Sequence, residues 1–206
     1  KLLTFSKSRA ASQIMANLPY VKGVRIGIKL PDTVNIMIEE ESVVYAIKSS
    51  DGQWWMMDSD GRVVEQANNA KAATATQVLG VTLEAPTVNE KGVATEMTPS
   101  ETNELGELIP VTTTGAQRLT AALQILKALE NNDIVGEAAS VDVTSTEDII
   151  LWYGTRYQVN LGDTSRLDYK VDCMNDAILQ MSDYQSGVLD ISFTIWPNQV
   201  GYTPFA

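Results

Sequence analysis

The stretch Arg25–Ile47, RIGIKLPDTVNIMIEEESVVYAI, constrains the fold more than any other part of the chain. Val24, Ile26, Ile28 and Leu30 alternate with Arg25, Gly27 and Lys29, and Val34, Ile36 and Ile38 resume the alternation after Pro31-Asp32. A period of two is strand geometry with one apolar and one wet face. Proline presets the first position of a turn, so the two runs form a β-hairpin. A helix precedes them. Ala11, Ile14, Met15 and Leu18 recur at i, i+3, i+4 and i+7, Thr4 or Ser6 supplies a cap, and Pro19 stops the helix. The opening of the chain is therefore a small helix–strand–strand unit.

Strand patterns dominate the rest of the chain. Val43–Ile47, Gln53–Met57 and Arg62–Gln66 read as a meander joined at Ser49-Ser50-Asp51-Gly52 and Asp58-Ser59-Asp60-Gly61. Residues 68–75 are alanine-rich with weak pattern, and Gln77–Glu84 reads as a strand. Ala85–Pro110, with Pro86, Pro99 and scattered glutamates, reads as an exposed, partly mobile loop. Gly115–Asn131 is the clearest helix, with Leu119, Ala122, Leu123, Leu126 and Leu129 on one face and caps at Thr112–Thr114. Ala138–Thr144, Ile149–Tyr153 and Arg156–Leu161 read as strands. Arg166–Ser182 reads as a helix carrying Leu167, Val171, Met174, Ile178 and Met181, and Val188–Trp196 as a closing strand.

Several chemistries are excluded by composition. The chain has no histidine and one cysteine, Cys173, in 206 residues. Ser-His-Asp and Cys-His catalysis, imidazole zinc sites and an internal disulfide are all ruled out. Cys173 sits in an apolar helical pattern and reads as a core residue. A net charge of −11 repels phosphate backbones, so nucleic acid is not an expected partner. No apolar run reaches the roughly 18 residues of a membrane span, and no signal peptide is visible.

The acidic clusters read as structure. Glu39-Glu40-Glu41 would point alternately to opposite faces of a strand end, a solvated edge that discourages aggregation. Asp58-Ser59-Asp60-Gly61 has its glycine too early for a calcium loop and reads as a turn. Asp142, Glu147 and Asp148 could pair as hydrolase carboxylates, but nothing in their spacing fixes a separation. Trp54 and Trp55 face opposite ways on a strand, so one packs in a core and the other is free for packing elsewhere or for a partner. No phosphate-binding, nucleophile-elbow or zincin motif occurs, which leaves a binding or scaffolding protein without cofactor or metal.

The stretch LPYVKGVRIGIKLPDTVNIMIEE from Leu18 resembles the FtsQ/DivIB family of bacterial cell division proteins, whose POTRA domain carries L-P-[WY]-V, a basic strand and P-x-[ST]-[LV]-x-I. Trp55-Met-Met-Asp-Ser-Asp-Gly-Arg-Val, Gly154–Gly162, Tyr169-Lys170, Val188–Phe193 and the tail Val200-Gly-Tyr-Thr-Pro204 are similar, in the same order, to that family's β domain. The resemblance implies an α+β chain. Residues 1–47 would be a partial POTRA domain (helix plus two strands), and residues 48–206 a mostly antiparallel β domain with two helices. The first POTRA strand and helix, and a membrane anchor, would lie upstream. It further implies an extracytoplasmic, non-catalytic scaffold of a single-pass membrane protein at the division septum, binding FtsL-like and FtsB/DivIC-like partners. Partner binding would fall on the last strand and tail, at Phe193, Trp196, Val200, Gly201 and Tyr202, although Phe193 also alternates in phase with core positions Leu189 and Ile191. Ser192 stands where relatives often carry a basic residue. A POTRA-containing transport or assembly chaperone is the alternative.

Overall fold

The computed structural model describes residues 5–40, 44–96, 113–194 and 198–205. Helix α1 (Lys7–Asn17) starts where the Ser6 side chain accepts the Arg9 amide at 3.3 Å, and ends with the Leu18 amide donating to Ile14 O. The alternative cap, Thr4, lies outside the described residues. Strands β1 (Val21–Lys29) and β2 (Thr33–Glu40) pair antiparallel with Ile26 opposite Ile36 and Ile28 opposite Val34. The hairpin expected at Pro31-Asp32 is present. Its apolar face is only partly covered: α1 lies against β1, whereas Ile36 and Ile38 on β2 are 50 and 48% exposed.

The remaining strands form one nine-stranded sheet. They are β3 (Tyr45–Ser49), β4 (Trp54–Met57), β5 (Val63–Ala67), β6 (Gln77–Leu83), β7 (Ala138–Asp142), β8 (Ile149–Tyr153), β9 (Tyr157–Gly162), β10 (Gly187–Asp190) and β11 (Gly201–Pro204). Their order is β11-β10-β9-β8-β7-β6-β3-β4-β5, parallel at β3/β6, β6/β7 and β9/β10 and antiparallel elsewhere. A four-residue helix α2 (Asn69–Ala72) covers part of one face over Ala46, Met56 and Val64. Helices α3 (Gly115–Asn131) and α4 (Leu167–Leu179) cover the other. Leu119, Ala122, Ile125, Leu126 and Leu129 of α3, with Val171 and Met174 of α4, meet Ile47, Val78, Val141, Leu151, Val159 and Leu189 of the sheet. Each fully buried aliphatic or methionine side chain stabilises by about 1.5–3 kcal/mol. The architecture is the expected α+β one: a helix and hairpin, then a larger, mostly antiparallel sheet with helices.

Four expectations change in detail. The boundary after Ile47 cuts through β3, which pairs only within the large sheet, so the small unit ends with β2. The weakly patterned 68–75 segment contains α2, because the Asn68 side chain accepts the Lys71 amide at 2.9 Å. The loop after β6 is not free over residues 85–96. Bridges at Arg62/Lys91 and Leu83/Ala94 fix it, and Ala94 is buried. Its remainder to Pro110 lies outside the described residues. The closing strand stops at Asp190 instead of Trp196. The Asp190 carboxylate accepts the Ser192 amide at 3.0 Å and hydroxyl at 2.7 Å, and Phe193 takes φ +59°, which no strand accommodates.

Candidate partner-binding edge

The two outermost strands of the sheet are β5 and β11. At β11 the chain returns antiparallel to β10, with Val188 opposite Thr203 and Asp190 opposite Gly201. The direction of each amide is set by its neighbours. The Gly187 and Ile191 amides donate to Arg156 O and Asn160 O, toward β9, at 3.0 and 2.9 Å. Alternation then turns Val188 and Asp190 toward β11, with Gly201 and Thr203 facing them. The Phe205 amide continues this set by donating to Ser186 O at 3.1 Å. Tyr202 and Pro204 therefore direct their backbone groups outward. Proline has no N–H, so the strand offers the Tyr202 N–H and C=O and the Pro204 C=O to a visitor. Among the described residues no strand or loop pairs with this side.

Side chains hold the edge in place. The Tyr202 ring and Val200 pack against the main core, and the Tyr202 hydroxyl donates to Ser186 O at 3.1 Å. Close approach of β11 requires glycine at 187, where an added Cβ would lie 2.2 Å from Thr203 O. Val200 and Tyr202, with Cys173, Ala177 and Met181, line a groove of about 400 Å³ along the strand. Leu179, the last residue of α4, and Tyr184 beyond it are 75 and 88% exposed.

The structure thus brings Val200, Gly201 and Tyr202 together at the edge and separates Phe193 from it. Phe193 lies in the excursion between β10 and β11 with its ring 5.6 Å from Tyr169. The Arg166 guanidinium covers both rings, at 4.4 Å from Tyr169 and 5.7 Å from Phe193, and donates to Asn198 Oδ1 at 3.0 Å. This cluster ties the excursion to the start of α4. Ser192 is the turn residue held by Asp190, and Trp196 lies outside the described residues. Thr203, Pro204 and Phe205 were not among the expected site residues. Phe205 stacks on Trp152 at 6.2 Å, a contact across the sheet that no local pattern encodes.

A second unexpected group supports this side of the sheet. Lys170, 1% exposed, donates its Nζ to Leu161 O, Asp163 O and Asp163 Oδ1, each at 2.8 Å. The Lys170 ammonium, then the Ser165 hydroxyl, hold the Asp163 carboxyl down at about 2. This fixes the turn between β9 and α4.

The carboxylates weighed as chemistry occupy turns. Asp142 accepts the Thr144 amide and hydroxyl at 2.8 and 2.6 Å, and the Glu147 and Asp148 amides both donate to Ser145 Oγ. Asp58 accepts the Asp60 and Arg62 amides and the Arg62 Nε–H, which makes its loop a closed turn. Among the described residues no three acidic or cysteine side chains converge as metal ligands. None of the described helices is long and apolar enough to cross a membrane.

No family model matches the chain. Individual proteins do: the cell division protein DivIB of Clostridium tetani is 25% identical over 185 residues, 88% of this chain and 62% of that protein. The chain is similar to cell division proteins. The DivIB of Clostridium acetobutylicum is 34% identical over 65 residues, 32% of this chain and 26% of that protein. The chain thus spans less than two thirds of the length of either relative.

Proposed function

We propose that this chain is the extracytoplasmic part of a division scaffold of the FtsQ/DivIB kind. The helix–hairpin unit is the C-terminal portion of a POTRA domain, and the nine-stranded sheet is the partner-binding β domain. It acts without catalysis, held to the membrane by an upstream helix at the division septum, and docks FtsL-like and FtsB/DivIC-like partners to recruit or regulate septal peptidoglycan synthesis. The observation that carries this reading is the similarity to DivIB along 88% of the chain. The open edge of β11 supports a mode of docking: an extended partner segment adds by main-chain hydrogen bonds to the outward groups of Tyr202 and Pro204. The exposed β2 of the small unit is consistent with a sheet completed by an upstream strand.

The test is co-purification with the extracytoplasmic segments of the FtsL-like and DivIC-like proteins from the same organism. The full chain is compared with Tyr202→Ala and with a truncation after Pro197, which removes β11. Capture by the parent, its loss on truncation and its weakening in Tyr202→Ala, whose missing ring no longer anchors β11 to the core, is the expected result. Equal capture by all three would move docking away from β11, and no capture by the parent would remove the scaffold reading.

A further inference from the structure

The aromatic residue of the Leu18-Pro-Tyr-Val stretch has a role that partner docking does not use. The Tyr20 hydroxyl donates to Glu65 Oε1 at 2.5 Å, across 45 residues of sequence. Lys71 Nζ donates to the same Glu65 oxygen and, at 3.1 Å, to the Tyr20 hydroxyl, with its ammonium 5.4 Å from the Tyr20 ring. Tyr20 belongs to the connection between α1 and β1, Glu65 to β5, and Lys71 to α2. The cluster therefore spans the small unit and the large sheet.

Among the described residues the other contacts between the two are few, and Lys22 of β1 adds a pull on the Asp60 carboxylate in the turn between β4 and β5 of the large sheet. The Asn89 side chain donates to Ala16 O at 2.8 Å, and Arg62 Nη1, held by Asp58, reaches Val21 O only at 3.5 Å. The apolar contacts include the Tyr20 ring and Val44 on the small back-face cluster and the buried Val21 side chain. Units of one chain that meet over a small, polar surface move relative to each other unless something specific holds them. Charge-assisted hydrogen bonds are the strong members of such a set. Burial works to raise the Glu65 carboxyl, but the bonds from Lys71 and Tyr20 outweigh it and keep it below the ordinary carboxylate range. Burial, then the same carboxylate, lifts the Tyr20 phenol, which keeps its proton to donate.

We propose that Glu65, accepting from Tyr20 and Lys71 at once, sets the angle between the helix–hairpin unit and the nine-stranded sheet. Remove that acceptor and the small unit is no longer held at one angle to the sheet. The cluster sits at the β5 side of the sheet, the whole width away from β11, so it governs orientation and leaves the docking edge unchanged.

The experiment is a spin-label distance measurement on the full chain with Cys173→Ser, labelled at Asn35→Cys on β2 and Asp172→Cys on α4, both exposed. Glu65→Ala and Tyr20→Phe are each compared with the parent and with Asp183→Asn, which alters a remote exposed ion pair. Tyr20→Phe keeps the ring packing and so stays informative if Glu65→Ala fails to fold. The expected result is a distance distribution about twofold broader than the parent's in both joint variants and unchanged in the control. An unchanged distribution in folded Tyr20→Phe would overturn the proposal, as would equal broadening in the control.

Discussion

On the outer side of β5, the Val63 amide donates to Glu90 O and the Asn89 amide donates to Val63 O, both at 2.8 Å, so a loop of the same chain lies where a further strand would pair. On the outer side of β11, no described segment does this for Tyr202. Both are edges of one sheet, and both strands are short, yet the first residue of β5 is covered by covalently attached chain whereas β11 is interrupted by a proline alone. Uncovered edges invite pairing, and proteins that must stay single cover them or interrupt them. The contrast sets β11, with spare pairing capacity at Tyr202, against the start of β5, committed at Val63 to internal contacts.

Three changes would break or sharpen that contrast. The largest effect is expected from Lys170→Met, which strips the support beneath the β11 side. One buried carbonyl, one half-buried carbonyl and a carboxylate lose their donor, at a cost of about 3 kcal/mol. In a chain of this size that lowers the melting temperature by about 10 °C, read by calorimetry. The same variant has a pH signature. Asp163 titrates at about 2, below its ordinary 3.8, so its stabilising share is complete above that ordinary value and fades as pH falls toward 2. Lys170→Met should flatten that acid limb. An unchanged limb would mean that Ser165 alone holds the carboxylate.

Asn89→Pro should make the β5 edge resemble the β11 edge. It removes the N–H that closes on Val63 O and forbids the φ of +70° found there. A local cost of about 2 kcal/mol is expected, seen as faster hydrogen exchange at the Val63 amide with β11 protection unaltered. If Val63 stays protected, the loop is not what guards this edge. The smallest effect is expected from Tyr202→Phe. It deletes the hydroxyl bond to Ser186 O but keeps the ring, costing about 1 kcal/mol. Because the outward amide is retained, partner capture should persist. Its loss would show that side chain, not backbone, carries docking.

The same contrast explains which features are legible in the chain itself. Alternation and helical spacing are local, so the hairpin, the meander and α3 can be read directly, α3 to its final residue. Phe193 shows where that logic fails. Its phase with Leu189 and Ile191 continues the strand pattern, but a side chain–backbone turn at Asp190 and Ser192 ends the strand, and the ring is claimed by Arg166 and Tyr169. At the tail the opposite error arises. Gly201–Pro204 is too short to alternate visibly, and becomes a strand only because Gly187 lets it approach β10. Tyr20 is conspicuous in sequence, but its partners are 45 and 51 residues away, beyond any periodicity.

The ammonium of Lys170 occupies a nest of two peptide oxygens and one carboxylate oxygen, the kind of oxygen cage that elsewhere holds a divalent metal. Here the counter-ion is tethered by four methylenes and cannot be washed out. The turn that leads into α4 should accordingly keep its shape in chelating buffer and in calcium-rich medium alike.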